Sequence, residues 1–173
     1  IGISFTSHTI TSGADTAQSV YAVDLDGDGD MDVLSASSTD DKIVWYENNG
    51  SESFTARLIT SSANAAYSVY AVDVDGDGDI DVLSASRDDD KVAWYENDGS
   101  ESFTTHKITT SANGARSVFA LDLDGDGDID VLSASRDDDT IAWYENSKVN
   151  ALADTIAPAI IWSPVDGSTD VPV

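Results

Sequence analysis

Three aspartate-rich loops are the part of this sequence that could do chemistry. They read DLDGDGDMD at 24–32, DVDGDGDID at 73–81 and DLDGDGDID at 122–130, and each holds five aspartates within nine residues. A hard cation such as Ca²⁺ takes roughly six to eight oxygen ligands, and carboxylates at alternating positions with glycines between them supply such ligands to one ion. The loops therefore predict one calcium site each, about three per chain.

Each position of the loop has a predicted role. The aspartates at positions one, three and five would bind through their side chains. The aspartate at position seven would bind through its backbone carbonyl, after a glycine that permits a sharp bend, and the aspartate at position nine would close the shell with a carboxylate. The predicted metal ligands are Asp24, Asp26, Asp28, Asp30 and Asp32, then Asp73, Asp75, Asp77, Asp79 and Asp81, then Asp122, Asp124, Asp126, Asp128 and Asp130.

The loops have two alternative interpretations. An EF-hand needs a bidentate glutamate at position twelve and flanking helices, but position twelve is Ser35, Ser84 or Ser133 and the flanks resemble strands. Acidic hairpins that bind no metal are the second alternative, and five carboxylates in nine residues would then repel one another without a counter-ion.

Composition limits the partners. The chain has 33 acidic and 8 basic residues, for a net charge of −25, which opposes binding to nucleic acid and to anionic membranes. The sequence contains no cysteine, so disulfide and thiol chemistry are excluded. No stretch is long and apolar enough to span a bilayer, so we expect no membrane insertion. Calcium loops favour an extracellular setting, where calcium is abundant enough to fill weak sites.

The acidic loops belong to a repeat with a period of 49 residues. The same spacing separates Trp45, Trp94 and Trp143, and also Phe5, Phe54 and Phe103. A fixed period of this length indicates a repeat architecture. We divide residues 1–146 into three repeats, at about 3–52, 53–101 and 102–146, with one blade split between the two ends, and treat residues 147–173 as a linker and an extended strand.

Four short strands are predicted in each repeat. In the repeat unit taken from residue 20 to residue 68 they are Val20–Val23, Val33–Ala36, Ile43–Tyr46 and Phe54–Thr60, separated by clusters of Gly, Asn, Asp and Ser. The first strand is apolar on both faces, which predicts cover on both sides, and the fourth is mixed, which predicts an outer strand. The fold class is therefore all-β, a β-propeller-type array of three four-stranded blades that is incomplete as a single-chain ring.

The phase of the repeat leaves strands without partners. Residues 3–10 align with the fourth strand of the other repeats, and the last repeat stops after its third strand at Asn146. Three blades also fall below the usual range of about four to eight. Three arrangements remain open: a longer array, a six-bladed ring built by two copies, or a fibre in which each copy gives its spare strand to the next.

The strand–DxDGDGxxD–strand arrangement over about residues 3–146 resembles the FG-GAP and VCBS repeat family. The motif WYEN at 45–48, 94–97 and 143–146 is most similar to the VCBS-type bacterial and fungal repeats. The resemblance implies propeller blades whose hairpin between the first two strands holds a mainly structural calcium ion. The tail DTIAPAIIWSPVDGSTDVPV resembles the start of a bacterial immunoglobulin-like domain.

Other candidate residues favour packing over chemistry. His8, Arg57 and His106 occupy equivalent positions, which indicates exposed strand sites rather than catalysis, and no His–carboxylate–nucleophile set recurs, so we expect no enzyme. The repeated tryptophans are expected in the core, with a sugar-stacking platform as the alternative. The RDDD segments at 87–90 and 136–139, and STDD at 38–41, are expected to be solvated hairpin turns between the second and third strands, with a second cation or a glycan site as the alternative.

These observations predict an extracellular, bacterial calcium-binding protein of the secreted or cell-surface class, with a structural or adhesive role. Its expected partners are other copies or further repeats of the same protein, together with a glycan or a surface protein. It would assemble into a larger ring or fibre. The alternative is a carbohydrate-binding or scaffold module of a secreted sugar-active enzyme.

Overall fold

The computed structural model describes residues 2–147, and every regular element in that range is a β-strand. The strands are β1 (Ala17–Val23), β2 (Asp32–Ser37), β3 (Lys42–Asn48), β4 (Phe54–Thr60), β5 (Ala66–Val72), β6 (Asp81–Ser86), β7 (Lys91–Asn97), β8 (Phe103–Thr109), β9 (Ala115–Leu121), β10 (Asp130–Ser135) and β11 (Thr140–Tyr144). The all-β prediction is confirmed, and each of the four strands predicted between residues 20 and 60 falls within β1 to β4. No helix within residues 2–147 is long and apolar enough to cross a bilayer.

The strands form three antiparallel sheets, one per repeat. The first sheet has the order β1-β2-β3-β4, the second β5-β6-β7-β8, and the third β11-β10-β9. Contacts between β1 and β5, and between β5 and β9, stack the sheets in chain order. Each sheet is a meander of neighbouring strands, as propeller blades are.

The core lies between the sheets rather than within any one of them. Leu34 and Trp45 of the first sheet are buried against Val69 and Tyr95 of the second. The second and third sheets bury a matching cluster that includes Leu83, Val92, Ala115 and Val118. Because each blade buries its apolar face only against its neighbour, stability depends on stacking, as in other repeat proteins.

The two end blades expose residues that the middle blade covers. Val20 in β1 is 70% exposed, whereas its equivalent Val69 in β5 is 4% exposed. The prediction of a first strand covered on both faces holds for β5 and is wrong for β1, because none of the described sheets packs on the outer face of the first. Ile141 in β11 is likewise 76% exposed, whereas its equivalent Ile43 is 0% exposed.

The predicted fourth strand at residues 3–10 does not form within the chain. Residues 2–9 have no strand assignment, and Phe5 is 94% exposed. A strand requires a hydrogen-bonded neighbour, and none of the described strands pairs with this segment. Among the residues that the structure describes, the third sheet therefore has three strands, and one side of β11 has no paired strand. The immunoglobulin-like prediction for 147–173 lies, apart from Ser147, outside the described residues.

Candidate metal centres

The three acidic loops connect the first two strands of each sheet. The first acidic loop (24–32) joins β1 to β2, the second (73–81) joins β5 to β6, and the third (122–130) joins β9 to β10. In the first loop the side chain of Asp26 accepts a hydrogen bond from the backbone N–H of Asp28 at 3.2 Å, and Asp28 accepts from Asp30 at 2.8 Å. Gly29 has a φ of 95°, which favours glycine and turns the loop back on itself.

Folding brings three of the five predicted ligands together in every loop. One carboxylate oxygen from each of the aspartates at positions one, three and nine lies within 4.8 Å of the others. The three groups are Asp24, Asp26 and Asp32, then Asp73, Asp75 and Asp81, then Asp122, Asp124 and Asp130. The same triad thus recurs at each blade.

One carboxylate oxygen of the first triad has no hydrogen-bond partner among the described residues. Asp24 Oδ2 accepts a hydrogen bond from the Gly29 N–H at 3.0 Å. The other oxygen, Asp24 Oδ1, is buried and has no hydrogen-bond partner among the described residues. Buried polar atoms are nearly always satisfied, so this one indicates a missing partner. A hard cation is the partner that a set of carboxylate oxygens fits best.

The aspartate at position nine has a second role that the sequence did not reveal. Asp32, Asp81 and Asp130 are all 0% exposed. Asp81 Oδ2 accepts from the Val74 N–H at 2.9 Å, and its Oδ1 accepts from the Asn97 N–H at 2.8 Å. Burial raises the pKa of the Asp81 carboxyl, although these two hydrogen bonds act in the opposite direction. This residue therefore fastens the loop to the end of the third strand.

The aspartates at positions five and seven lie outside the triads. A Cβ atom added to Gly50, in the turn between β3 and β4, would collide with the Asp30 carboxylate, and Gly99 and Asp79 repeat this relationship. The position-seven side chain therefore faces that turn, and ligation through its backbone carbonyl stays a prediction. Ligation by the aspartate at position five stays a prediction.

The loops concentrate negative charge. Burial, followed by the charges of Asp32, Asp28 and Glu47, raises the pKa of Asp26 against a lowering hydrogen bond from the Asp28 backbone. In the third loop, desolvation and then the neighbouring carboxylates raise the pKa of Asp124. A raised pKa means that the ionised form of these two carboxyls is disfavoured in the metal-free loop, and a bound cation would act in the opposite direction.

Comparison with known families decides how these loops are classified. The profile of the FG-GAP-like repeat matches residues 24–84 and again residues 73–133. The chain belongs to the FG-GAP-like repeat family. Each match begins at the first aspartate of an acidic loop and ends in the second strand of the following blade.

One solved structure similar to the FG-GAP-like repeats is that of an Agrocybe aegerita lectin, described as recognising non-reducing terminal N-acetylglucosamine. It is 22% identical, with a TM-score of 0.49 over 66% of this chain and 32% of the lectin chain. The FG-GAP-like chain thus spans about a third of that structure's length. No curated protein matches the sequence of this chain.

The asparagine of WYEN links neighbouring FG-GAP-like repeats. The side-chain amide of Asn97 donates to the carbonyl of Ile80 in the acidic loop of its own repeat, at 3.2 Å, and to the carbonyl of Leu25 in the acidic loop of the preceding repeat, at 3.4 Å. Asn146 repeats this pattern with Ile129 and Val74, both at 3.2 Å. Each of these amides therefore bridges two consecutive acidic loops, a contact that local sequence spacing could not reveal.

One further acidic cluster already has a cation among its neighbours. Carboxylate oxygens of Asp26, Glu47 and Glu101 lie within 4.8 Å of one another. The guanidinium of Arg57 contacts Glu47 and Glu101, each at 2.6 Å. Arg57 therefore compensates this cluster, which does not require a metal.

The basic residues of the fourth strands, Arg57 and His106, make ion pairs and ring contacts that the sequence did not predict. His106 lies 2.6 Å from Glu96 and stacks on Trp94 with ring centroids 4.5 Å apart. Arg57 lies over Trp45 in the same way, 5.2 Å from its ring centroid. Both side chains are 41% exposed. They pack on the tryptophans with one face and contact solvent with the other.

The repeated aromatic residues serve packing. Trp45 is 1% exposed, which confirms the core prediction for this residue, whereas Trp143 in the last blade is 45% exposed. The hydroxyl of Tyr95 is 3.0 Å from Ser84 Oγ, and that of Tyr144 is 3.1 Å from Ser133 Oγ. These serines are the hydroxyl partners that buried tyrosines require.

The turn between the second and third strands of a sheet ends in an aspartate that also bonds to the next repeat. Asp41 accepts a hydrogen bond from the Ala65 N–H at 2.7 Å, and Asp90 accepts from the Gly114 N–H at 2.9 Å. Each bond joins a turn of one repeat to the segment entering the next. The prediction of a solvated hairpin turn was therefore incomplete at these two positions.

Proposed function

We propose that this chain is a calcium-binding structural and adhesive module of an extracellular, bacterial protein of the VCBS type. The observation that carries the proposal is the triad of carboxylates, repeated in three loops, with the buried and unpartnered Asp24 Oδ1 in the first. The aspartates at positions one, three, five and nine would hold Ca²⁺ through side chains, and those at position seven through backbone carbonyls.

Calcium would act by stabilising hairpins and the contacts between blades. Neutralising clustered carboxylates removes a repulsion that opposes folding, so metal binding contributes directly to folding free energy. The bond from Asn97 to Leu25 connects one acidic loop to its neighbour. Ordering one loop would therefore also stabilise the adjacent blade.

Thermal unfolding of the chain with calcium, after exhaustive chelation and with magnesium tests this proposal. We expect a markedly higher melting temperature with calcium. Magnesium should give a smaller gain, because it demands a near-octahedral shell and keeps several waters. An identical melting curve before and after chelation would reject the calcium part of the proposal.

Self-association is the second part of the proposal, and the end blades support it. Val20 and Ile141 are exposed on the first and last sheets, whereas their equivalents in the middle of the array are buried. Large exposed apolar side chains at uncapped repeat ends favour contacts with further repeats or other copies. Light scattering after size-exclusion chromatography should detect oligomers, and a compact monomer would contradict this part.

The alternative function is a carbohydrate-binding or scaffold module. A repeated sugar platform needs exposed aromatic faces, but Trp45 is 1% exposed and His106 covers Trp94. This arrangement favours the structural role, for which we expect no catalytic activity. A glycan array in calcium tests the alternative, together with the adhesive prediction of a glycan or surface-protein partner. The net charge of −25 disfavours nucleic acid.

A further inference from the structure

Within residues 2–147 the third sheet ends at an edge with no paired strand, and the chain carries a segment whose sequence matches the fourth strands of the other two sheets. Among the described strands β11 pairs only with β10, whereas β3 and β7 each pair on both sides. Residues 5–11 read FTSHTIT, compared with FTARLIT in β4 and FTTHKIT in β8. An open edge presents unpaired backbone N–H and C=O groups to which an extended segment can add.

An apolar cleft beside this edge has the position that a fourth strand would fill. The cleft, of about 370 Å³, lies between the second and third sheets and is lined by Trp94, Ile108, Ile129 and Tyr144 among others. At the equivalent place beside Trp45, between the first and second sheets, the cavity is about 150 Å³ and is lined also by Phe103, the first residue of β8, and by residues 99–101. The larger cleft is where the phenylalanine of an added strand would lie.

We propose that residues 5–11 of one copy of this chain add to β11 of a second copy as its fourth strand, with Phe5 in the cleft beside Trp94. The inference rests on the self-association part of the proposed function and names its contact. The register follows from the second sheet, where β8 places His106 opposite Trp94 and Phe103 opposite Asn97. The same register places His8 opposite Trp143 and Phe5 opposite Asn146.

The charges and the exposed aromatic residues match this register. In the second sheet an acid on the third strand meets a base on the fourth, as Glu96 meets His106 at 2.6 Å. The first sheet repeats the pair with Glu47 and Arg57. Glu145 and His8 occupy the corresponding positions on the two copies. Their pairing would place the imidazole of His8 over Trp143.

The donor belongs to a second copy because of where the segment starts. Residues 2–9 lead into the first sheet, and the second sheet lies between the first and the third. Phe5 is 94% exposed in the single chain, so its burial in the cleft adds apolar contact that the monomer lacks. Each copy is both donor and acceptor, so the contact is head-to-tail and builds a fibre or closes into a ring.

Disulfide trapping between two single variants tests the register directly, because the chain has no cysteine of its own. The register places Thr9 opposite Ala142, as Lys107 lies opposite Ala93. A Thr9→Cys copy and an Ala142→Cys copy, mixed in calcium and mildly oxidised, should form a mixed disulfide identified by mass spectrometry. Thr140→Cys is the control, since diagonal Cβ atoms are about 7–8 Å apart and a disulfide needs about 3.5–4.5 Å.

Point variants test the contact without cross-linking. Phe5→Asp should convert the assembly to monomer, because it places a carboxylate in an apolar cleft. The matched control is Ile3→Glu, which changes a residue that is 86% exposed but precedes the proposed strand. The other repeats have Glu52 and Glu101 at that position, so the repeat accepts a glutamate there and assembly should not weaken. His8→Glu should weaken assembly, and adding Glu145→Arg should restore it.

The outcomes distinguish strand donation from self-association in general. Oligomers that form without a link between positions 9 and 142 would overturn strand donation and leave self-association standing. A monomer at all concentrations would overturn both. A variant that carries Thr9→Cys and Ala142→Cys in the same chain, and forms the link within that chain as a monomer, would overturn donation between copies. The effect of calcium on the melting temperature does not depend on either result.

Discussion

The side-chain amide of Asn97 lies 3.4 Å from the backbone carbonyl of Leu25, a residue 72 positions earlier in the chain. Leu25 is the second residue of the first acidic loop, and Asn97 ends the third strand of the next blade. The same amide reaches Ile80 in its own acidic loop at 3.2 Å. One side chain therefore connects the two candidate calcium loops across the interface between blades.

Replacing Asn97 should measure this connection. Asn97→Ala leaves two carbonyls without their donor, which costs about 1–3 kcal/mol for a buried group. Asn48→Ala is the matched control, because Asn48 donates only to Met31 within its own sheet, at 3.1 Å. Urea unfolding in calcium should give a larger loss for Asn97→Ala, and equal losses would mean that the bond between sheets contributes nothing.

Two aspartates of the first acidic loop should respond differently to calcium. Asp32 is 0% exposed and accepts backbone hydrogen bonds from Leu25 and Asn48, so Asp32→Asn should destabilise the chain by about 1–3 kcal/mol with or without calcium. Asp26 is exposed, so Asp26→Asn should lower stability only when calcium is present. Chemical denaturation of both variants, metal-free and calcium-loaded, checks this contrast.

A loss of metal-free stability in Asp26→Asn similar to that in Asp32→Asn would contradict the separation of roles. It would mean that the exposed aspartate supports the hairpin by itself. The separation also predicts that Asp26→Asn lowers calcium affinity without changing the fold, which circular dichroism can verify.

Acid should reduce the stabilising effect of calcium. Burial and then the charges of nearby carboxylates raise the pKa of Asp26 above its ordinary value of 3.8. In the metal-free chain a raised carboxyl pKa contributes stability that is full below the unfolded value and is lost as pH rises through the folded value. Calcium binds the ionised carboxylates, so it offsets this loss of stability. The stabilisation by calcium therefore requires that the carboxyls be ionised.

The difference in melting temperature between calcium-loaded and metal-free chain should therefore be largest at about pH 7 and shrink toward about pH 4, where carboxylates protonate. Scanning fluorimetry across this range measures the difference directly. A difference that does not change with pH would show that these carboxylates do not bind the ion.

Two isoleucines at the same repeat position should differ in their effect on stability. Ile43 is 0% exposed beneath the second sheet, so Ile43→Ala should cost about 2–5 kcal/mol. Ile141 is 76% exposed on the last sheet, so Ile141→Ala should change monomer stability by less than about 0.5 kcal/mol. Unfolding at a concentration where the chain is monomeric provides the comparison, and equal losses would contradict the stacking described here.

The sequence was informative where the relevant spacing is local. The period of the aspartates located all three hairpins, and β4 has the predicted bounds Phe54–Thr60. The predicted ligands Asp24, Asp26 and Asp32 do converge, because a short loop keeps alternate residues close together.

The sequence was uninformative where the partner is distant. The Asn97 backbone N–H meets Asp81 from 16 positions away, and no local pattern distinguishes a buried hydrogen-bonding aspartate from a metal ligand. Val20 and Val69 have the same local sequence pattern, but their exposures are 70% and 4%, because exposure depends on a neighbouring sheet. Residues 3–10 have the sequence pattern of a strand, but they form one only where a neighbouring strand edge supplies hydrogen-bond partners.

Calcium stoichiometry tests the central claim most directly. Isothermal titration of the metal-free chain should reveal about three ions per chain, one for each triad of carboxylates. The variant Asp26→Asn should remove one of them, since the other two loops are unchanged. Absence of binding at millimolar calcium, or binding that survives loss of the triads, would contradict the account.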